Sequence, residues 1–405
     1  MSWKKVKFGS LYKIDSRNGL TKPSKVRGEG YKMINMGELF SYNRIYDIPM
    51  ELVPLKDSEK INAKVEVGDL LFARQSLVLE GAGKCSIVME TSDLTVFESH
   101  IIRARLKSEE NPLFYYYYFK SPLSPVSTIV SQCAQAGIRG SDLSNLEVIC
   151  PSRDIQDKIV DILSAYDNLI ENNQKQIKFL EEAAQRLYKE WFVDLRFPGH
   201  ENVEIIDRVP EGWCINRADH YFKITIGKTP SRAEKQWFTN SREGTPWISI
   251  SDMGEYGTFA FYSKEGLTAD AIIRHNMKVV PKGTILVSFK LTVGRVAITS
   301  IDMCTNEAIA HFYIDNDFDR AYTYCYLKNF EYDSLGNTSS ISKAINSKII
   351  KSMPFIMPTG DILRQFSMVV QPILDQIELK QKIIFRLTEA RDRLLPKLMS
   401  GEIEV

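Results

Sequence analysis

The sequence predicts an α+β protein that is built twice: a short-stranded mixed α/β globule and a long amphipathic helix, followed by the same pair again. Three observations lead to this fold class. A stretch of helical sequence recurs, both copies carry apolar residues at coiled-coil spacing, and the segments before them alternate short apolar runs with glycine turns. The predicted architecture is a pseudo-two-fold internal repeat, with two globules joined by two long antiparallel coiled-coil helices.

The helical repeat is the strongest signal. Residues 171–187 align with residues 378–394 without a gap, and nine of the seventeen positions are identical. Several identities are polar, and a shared helical pattern alone would match only apolar positions. The whole unit is therefore predicted to be duplicated. The predicted segments are a first globule at 1–150, a helix at 151–197, a second globule with a leading linker at 198–357, and a second helix at 358–405.

The globules repeat more loosely. A glycine turn precedes an apolar strand at residues 70–73 and again within residues 279–289, and the turn at 19–24 aligns with the turn at 227–231. Asn111 followed by a proline predicts the start of a helix. This helix carries a run of aromatic residues, which is interpreted as core, with tyrosines facing both inward and outward. Residues 319–330 are its predicted counterpart.

Both long helices carry a seam of apolar residues at alternating spacings of four and three. They are predicted to start just after Pro151 and Pro358, and Pro372 is expected to kink the second helix or to mark a fresh first turn. One polar residue interrupts each seam at the same level of the repeat. The seam residues chosen as helix and partner contacts are Ile170, Asn173, Ile177, Leu180, Leu187, Ile377, Lys380, Ile384, Leu387 and Leu394. In the alternative interpretation, each helix only covers its own globule.

Composition and missing motifs exclude several classes of function. The net charge is +1, without the basic excess typical of a dedicated nucleic-acid binder. No apolar run is long enough for a membrane span, and the amino terminus does not resemble a signal peptide. The six cysteines are scattered, which predicts a reducing, cytoplasmic location. There is no phosphate-binding or dinucleotide-binding glycine motif, and the five histidines are dispersed. No catalytic residue, metal ligand or cofactor is therefore predicted for this chain.

Several segments, taken in order, resemble one known family. They are Gly-Lys-Thr-Pro-Ser at 227–231, Pro-Trp-Ile-Ser-Ile-Ser-Asp at 246–252, Gly-Thr-Ile-Leu-Val-Ser at 283–288, Val-Gly-Arg-Val-Ala-Ile at 293–298, and the helix ends at 187–194 and 394–403. This ordered set resembles the specificity (S) subunit of type I restriction–modification systems. The globules are then target-recognition domains, and the helices are the conserved helical regions. The first globule departs more from the family pattern than the second.

The resemblance implies a non-catalytic subunit of a DNA methyltransferase/restriction endonuclease complex. Each recognition domain would read half of a bipartite, asymmetric site on double-stranded DNA. The helices would set the unread spacer and dock two methyltransferase (modification) subunits. S-adenosylmethionine, ATP and Mg²⁺ would belong to partner subunits, and the sequence leaves open whether restriction/translocase subunits join. The alternative is a non-catalytic coiled-coil protein-interaction scaffold without DNA specificity, which the near-zero net charge favours.

Candidate DNA contacts are polar and basic residues in the turns that the two globules share. Lysine, arginine, serine and threonine suit phosphates, whereas arginine, asparagine and glutamine suit base edges. In the first globule the candidates are Arg17, Thr21, Lys22, Asn35, Arg74, Gln75, Ser76, His100 and Arg139. In the second globule they are Lys228, Thr229, Ser231, Arg232, Ser251, Lys290, Thr292, Asn306 and Lys343.

Overall fold

The fold is given by a computed structural model. The residues that it describes are 3–91, 93–132, 136–206, 209–335 and 345–405. The chain divides into two compact units, which are Met1–Asn168 with Leu387–Val405, and Leu169–Arg386. Each unit therefore combines one globular domain with a stretch of both long helices.

The first globular domain consists of short strands and short helices. Its strands are β1 (Lys5–Lys7), β2 (Tyr12–Asn18), β3 (Tyr31–Ile34), β4 (Arg44–Ile45), β5 (Glu51–Val53), β6 (Leu70–Ala73), β7 (Gln75–Ser76), β8 (Cys85–Val88), β9 (Thr95–Phe97), β10 (Ile101–Leu106), β11 (Ser131–Gln132), β12 (Ala136–Gly137) and β13 (Glu147–Ile149). Its helices are α1 (Met36–Ser41), α2 (Asp57–Asn62), α3 (Pro112–Lys120) and α4 (Gly140–Asn145), after which the long helix α5 (Arg153–Tyr188) begins.

The second globular domain likewise consists of short strands and short helices. Its strands are β14 (Ile205–Ile206), β15 (Val209–Pro210), β16 (Cys214–Arg217), β17 (Ile224–Ile226), β18 (Phe238–Asn240), β19 (Thr245–Ile248), β20 (Phe259–Ala260), β21 (Glu265–Leu267), β22 (Ile285–Ser288), β23 (Val296–Thr299), β24 (Cys304–Thr305), β25 (Ile309–Phe312) and β26 (Pro354–Met357). Its helices are α6 (Ala218–Tyr221), α7 (Ile250–Glu255), α8 (Ala269–Arg274), α9 (Asp317–Asn329) and α10 (Ser347–Lys351), and the long helix α11 (Gly360–Ser400) follows.

Sheet topology confirms the duplication that the helical repeat predicts. The central sheet has the strand order β2-β10-β6-β8-β4 in the first domain and β17-β25-β22-β23-β20 in the second. In both sheets the neighbours are antiparallel, except for the parallel final pair, β8 with β4 and β23 with β20. A smaller sheet also repeats, because β5-β3-β9 matches β21-β19-β24, to which the second domain adds β18. The globules share one fold although their sequences align only loosely.

The aromatic helix α3 lies entirely in the core of its domain. The side chain of Asn111 accepts a hydrogen bond from the backbone N–H of Leu113 at 3.0 Å, which confirms the predicted helix start. All residues from Phe114 to Phe119 are buried. The expectation that some tyrosines face outward is wrong, because the face turned away from the sheet packs on α5. There the hydroxyl of Tyr117 donates to a carboxylate oxygen of Asp167 at 2.8 Å.

The two long helices pack against each other within each unit, as well as on the globular domain of that unit. In the first unit Asp167 of α5 pairs with Arg391 of α11 at 2.6 Å. In the second unit the rings of Phe192, in the turn that ends α5, and Phe366 of α11 have centroids 4.9 Å apart. The early part of one helix therefore meets the late part of the other in both units, which is the predicted antiparallel pairing.

The proposed seam residues are all at least partly covered. Ile170, Asn173 and Ile377 are buried, and Asn173 donates to the backbone carbonyl of Leu169 at 2.8 Å. The half-buried seam residues are Ile177, Leu180, Leu187, Lys380, Ile384, Leu387 and Leu394. Burial of this kind fits a seam, and the role of these residues toward partner subunits stays a prediction.

Pro372 does not begin a new helix. Helix α11 continues from Gly360 to Ser400 without a break, so the expectation of a fresh first turn is wrong. A proline inside a helix removes one backbone hydrogen bond and costs about 3 kcal/mol. The buried side chains of Val370, Leu374 and Ile377 on either side of Pro372 hold the helix against the core and offset this cost.

Replacement of Asp167 should destabilise the first unit. Asp167 is 5% exposed and bonds both Arg391 and Tyr117, so Asp167→Ala leaves a largely buried guanidinium and a hydroxyl without this partner. We expect a loss of about 3 kcal/mol in the free energy of unfolding, measured by chemical denaturation of the full chain. Asp161→Ala, at an exposed position of the same helix, is the control and should change stability by less than about 0.5 kcal/mol. Equal losses in the two variants would contradict the assignment.

Candidate nucleic-acid interface

Three strand ends meet at one edge of the central sheet in the first domain. Strand β10 is antiparallel to both of its neighbours, and its first residues, Ile101 and Ile102, lie opposite Ala73 of β6 and Asn18 of β2. The loops that leave β2 and β6 therefore emerge beside the loop that enters β10. The backbone N–H of Ile138 donates to the carbonyl of Arg74 at 3.0 Å, which brings the segment before α4 to the same place. We call these four segments the first edge (residues 17–22, 74–77, 98–100 and 138–141).

Eight of the nine sequence candidates of the first domain fall on the first edge, and Asn35 is the exception. Arg17 and Arg139 are exposed, and among the described residues no carboxylate lies within ion-pair distance of either guanidinium. Arg74 donates to the carbonyl of Ser99 at 3.5 Å. Gln75, Ser76 and His100 line a groove of about 350 Å³ together with Met36, Phe40 and Leu77. This arrangement presents hydrogen-bond donors and acceptors around a shallow apolar floor.

The other three candidates of the first domain differ in their contacts. Thr21 is exposed on the first edge. Lys22 forms an ion pair with Glu59 at 2.8 Å, which ties the loop to α2. Asn35 caps α1, where its backbone N–H donates to the carboxylate of Glu38 at 2.8 Å. Lys22 and Asn35 therefore have structural partners that the sequence does not show.

The second domain forms the same edge. Strand β25 lies between β17 and β22, and Ile309 at its start lies opposite Ser288, the last residue of β22. The corresponding loops form the second edge (residues 227–232, 289–295 and 306–308). Lys290 and Thr292 are exposed on it. Lys228 donates through Nζ to the carbonyl of Asn276 at 3.2 Å.

The remaining candidates of the second domain have mixed roles. The hydroxyl of Thr229 donates to Glu307, and the side chain of Asn306 accepts from the backbone N–H of Ala308 at 3.2 Å. The guanidinium of Arg232 bonds both oxygens of Glu265, at 2.8 and 2.9 Å, and stacks on two aromatic rings, so it serves the fold as well as the surface. Two further candidates, Ser231 and Ser251, are exposed, whereas Lys343 lies outside the described residues.

Gly19 and Gly227 explain why the aligned turns begin with glycine. Each approaches the loop before the central strand so closely that a side chain has no space. A Cβ atom at Gly19 would lie 2.0 Å from the carbonyl oxygen of Phe97, and one at Gly227 would lie 2.1 Å from that of Asn306. The backbone N–H of Gly227 also donates to Ile309 at 3.1 Å. Both edges therefore depend on glycine at this point.

Sequence reasoning missed a carboxylate on the second edge. Glu307 accepts a hydrogen bond from Thr229, which lowers the pKa of its carboxyl group, and the charges of Lys290 and Arg232 lower it further. The ionised group is a hydrogen-bond acceptor on an otherwise donor-rich edge. Carboxylates accept from the exocyclic amine of cytosine in the major groove. The sequence signal for Glu307 is its position directly after the candidate Asn306. Glu307 was missed because the candidates were basic or uncharged polar residues.

A buried histidine beneath the second edge was also missed. His311 of β25 is 0% exposed, and its ring nitrogens contact the hydroxyls of Thr225 at 2.8 Å and Thr305 at 2.7 Å. Burial lowers the pKa of His311 to about 3, so the ring is neutral near pH 7. The corresponding position of β10 is Arg103, which is also buried and donates to the carbonyl of Lys64 at 2.7 Å.

Neither a metal centre nor a membrane segment is found in the part of the chain that the structure describes. The His, Cys, Asp and Glu residues among these positions form no group of three or more that could hold a metal ion. The described helices include none that combines the length and apolar character needed to cross a membrane.

The two edges, carried on one duplicated fold with long paired helices, place the chain in the class of DNA specificity proteins. It belongs to the family described as type I restriction modification DNA specificity domain, whose two matches cover residues 1–182 and 210–389. The chain is thus a specificity subunit of the type I restriction–modification class, as the sequence resemblance indicates.

Similar proteins agree with this family. The chain is 28% identical to the type I restriction enzyme MjaIX specificity subunit of Methanocaldococcus jannaschii over 72% of this chain and 69% of that relative. It is 24% identical to the putative MjaX specificity subunit of the same organism, over 96% and 91%. The crystal structure of a type I system S subunit from M. genitalium has the same fold, with a TM-score of 0.61, 18% identity, and coverage of 98% of this chain and 96% of that one.

Replacement of Gly227 should disrupt the second edge. A methyl group at this position meets backbone atoms, which cannot move aside as a flexible side chain can. We expect Gly227→Ala to lower the free energy of unfolding by about 1–3 kcal/mol and to speed amide hydrogen exchange in residues 304–309. Gly360→Ala, at a position with nothing within 4 Å of the added carbon, is the matched control and should leave both measurements unchanged. Unchanged exchange in Gly227→Ala would contradict the close approach.

His311 should make the second unit less stable in acid. Above pH 6.5 the ring is neutral in both the folded and the unfolded chain, so His311 does not lower the free energy of unfolding. Below pH 6.5 the unfolded chain binds a proton and the folded chain does not until about pH 3, so stability falls by about 1.4 kcal/mol per pH unit in that window. Denaturation at pH 7 and pH 5 should show that the wild type loses about 2 kcal/mol more than His311→Gln. An equal loss in both proteins would exclude His311 as the cause.

Proposed function

We propose that each globular domain of this chain reads one half of a bipartite, asymmetric site on double-stranded DNA. The reading domains are residues 1–150 and 198–357. The observation that carries this proposal is that one scaffold presents two different polar edges. The first edge offers Arg74, Gln75 and Ser76 after β6, whereas the second offers Lys290 and Thr292 after β22, where Phe289 is buried. Equivalent positions with different hydrogen-bonding groups suit two different half-site sequences.

The shape of the edges supports contact with the major groove. In each domain the chain between two paired antiparallel strands, β6 and β8 or β22 and β23, forms a hairpin on the edge. In the first domain this hairpin also contains β7, which pairs with β12. The major groove of B-form DNA is about 12 Å wide and admits a two-stranded ribbon. Exposed cations at Arg17, Arg139 and Lys290 are suited to the flanking phosphates. The hairpins and Glu307 then contact the edges of the bases.

We further propose that the helices, at 151–197 and 358–405, set the unread spacer and dock two methyltransferase subunits. Exposed apolar side chains on them, such as Phe179 and Met368, are the kind of surface that a partner protein covers. In this proposal the chain is non-catalytic. S-adenosylmethionine, ATP and Mg²⁺ are bound by the methyltransferase and by restriction/translocase subunits, and the complex works in the cytoplasm.

A coiled-coil scaffold without DNA specificity is not favoured. The net charge of +1 is its best support. A scaffold, however, has no need of two corresponding edges that carry exposed cations such as Arg17, Arg139 and Lys290. Overall charge is a weak argument here, since phosphate binding depends on local cations.

Substitutions on the two edges should act on separate halves of the site. With the methyltransferase partner present, Gln75→Ala should change base preference in one half-site only, by about 1–3 kcal/mol at one base pair. Lys290→Ala should weaken binding to all DNA sequences alike. It should also reduce by about one the slope of a plot of the logarithm of the association constant against the logarithm of the salt concentration. The measurements are sequence-selection assays and salt titrations. Lys282→Ala, at an exposed lysine in the turn that leads into the opposite end of β22, is the matched control and should change neither.

Two results would contradict the proposal. If the wild-type complex showed no salt-dependent, sequence-selective binding, the chain would not be a DNA reader. If Gln75→Ala changed both halves of the site, the two-reader arrangement would be wrong. Incubation of the purified chain alone with DNA and S-adenosylmethionine should give no methylation, and methylation there would overturn the non-catalytic assignment.

A further inference from the structure

Each edge carries one leucine side chain that is almost completely exposed. Leu77 is 89% exposed and Leu291 is 97% exposed, the two highest values among the large apolar side chains of the described residues. They lie in corresponding connections: Leu77 is four residues after β6 on the way to β8, and Leu291 is three residues after β22 on the way to β23. A single exposed leucine needs no explanation, but the same exposure in the corresponding connection of two diverged domains does.

The turn that carries Leu291 is held in place by hydrogen bonds. The hydroxyl of Ser288 donates to the carbonyl of Thr292 at 2.6 Å and accepts from the backbone N–H of Arg295 at 3.0 Å. Leu291 itself has a φ of 61°, in the left-handed region that a leucine rarely adopts. The turn therefore has an unfavourable backbone conformation at a residue whose apolar side chain is exposed to solvent. Strain of this kind points to a role outside folding.

The turn that carries Leu77 is also fixed. Gln75 and Ser76 before it form β7, which pairs with β12, and the hydroxyl of Ser76 accepts from the backbone N–H of Val78 at 3.2 Å. Glycines with positive φ close both hairpins, Gly83 at 77° and Gly294 at 83°. Both leucines thus stand on preorganised hairpins, which do not need to be ordered when a ligand binds.

The surroundings of both leucines favour nucleic acid over an apolar protein surface. Leu291 lies between Lys290 and Thr292, both exposed, and Leu77 follows Gln75 and Ser76 at the mouth of the groove that His100 lines. Leu77 is followed by Val78 and Leu79, which are 60% and 46% exposed, and Leu291 is followed two residues on by Val293, which is 38% exposed. Apolar side chains among cations and hydrogen-bond donors suit a partner that is anionic outside and carries apolar groups inside. In the major groove such an apolar group is the 5-methyl of thymine.

We propose that Leu77 and Leu291 enter the major groove and that each packs against the 5-methyl group of a thymine, one in each half-site. This inference rests on the proposed DNA-reading function and deepens it by naming a base and the side chain that reads it. The polar neighbours fix the hairpin on phosphates and base edges, while the leucine selects thymine over cytosine by apolar contact.

The test replaces single thymines by deoxyuridine, which lacks only the methyl group. The full chain with its methyltransferase partner is titrated with duplexes that carry the recognised site. We expect one such replacement in each half-site to weaken wild-type binding about fourfold, the effect of one buried methyl group. Leu291→Ala should weaken binding to the thymine duplex at least fourfold and remove the effect of deoxyuridine in one half-site. Leu77→Ala should do the same in the other half-site.

Matched controls lie at the ends of the strands away from the hairpins. Val67 precedes β6 and Ile301 follows β23, and both are exposed apolar residues, so Val67→Ala and Ile301→Ala should leave binding and thymine preference unchanged. Because the replaced leucines contact solvent, all four variants should keep the denaturation midpoint of the wild type.

Several outcomes would overturn the inference while leaving the proposed function intact. The first is a recognised half-site with no thymine on either strand. The second is a leucine variant that keeps the wild-type preference for thymine over deoxyuridine. The third is a leucine variant whose loss of affinity is the same for thymine and deoxyuridine duplexes. Loss of methyltransferase binding with unchanged DNA selectivity would show that the leucines contact protein instead. A wild-type complex without any sequence selectivity would end both proposals together.

Discussion

Both edges depend on the antiparallel pairing of one central strand with a neighbour on each side. In the first domain this strand is β10, and in the second it is β25. Because its neighbours both run in the opposite direction, their last residues and its first residue must lie together at one end of the sheet. The glycines at 19 and 227 then let the loop from the outer strand approach the loop before the central strand. Loops brought together on a rigid sheet are suited to recognition.

The long helices hold the far side of each sheet in place. In the second unit the backbone N–H of Phe259, in the outermost strand β20, donates to the side chain of Gln381 in α11 at 2.9 Å, and Thr258 donates to Glu181 of α5 at 2.7 Å. In the first unit Arg44 of the matching strand β4 donates to Asn168 of α5 at 2.8 Å. The bond from Phe259 satisfies a backbone group on the open edge of β20, which would otherwise be unpaired. The bond from Arg44 joins two side chains. These bonds also fix each recognition domain on the helices within its own unit.

The two copies have diverged in the core directly beneath the edges, as well as on them. His311 in the second domain is neutral and contacts two threonine hydroxyls, whereas Arg103 at the same position of the first domain is buried below the aromatic ring of Phe97. Most buried polar groups have hydrogen-bond partners, and each copy has its own set: two threonine hydroxyls for His311 and the carbonyl of Lys64 for Arg103. The two domains share one strand order but differ in the buried polar groups that lie beneath the edges.

The sequence by itself determined the duplication, the two long helices, the buried strands at 70–73 and 285–288 and the helix start at Asn111, because these depend on local periodicity and on caps a few residues away. It did not determine the availability of the candidate contacts. Lys22 and Arg232 pair with carboxylates 37 and 33 residues away, and only the folded chain brings such partners together. The outward tyrosines and the fresh turn at Pro372 were wrong for the same reason, since distant packing decided both. Leu77 and Leu291 differ from expectation in the other direction. A leucine is expected to be buried, and only the tertiary structure shows that these two side chains are exposed to solvent.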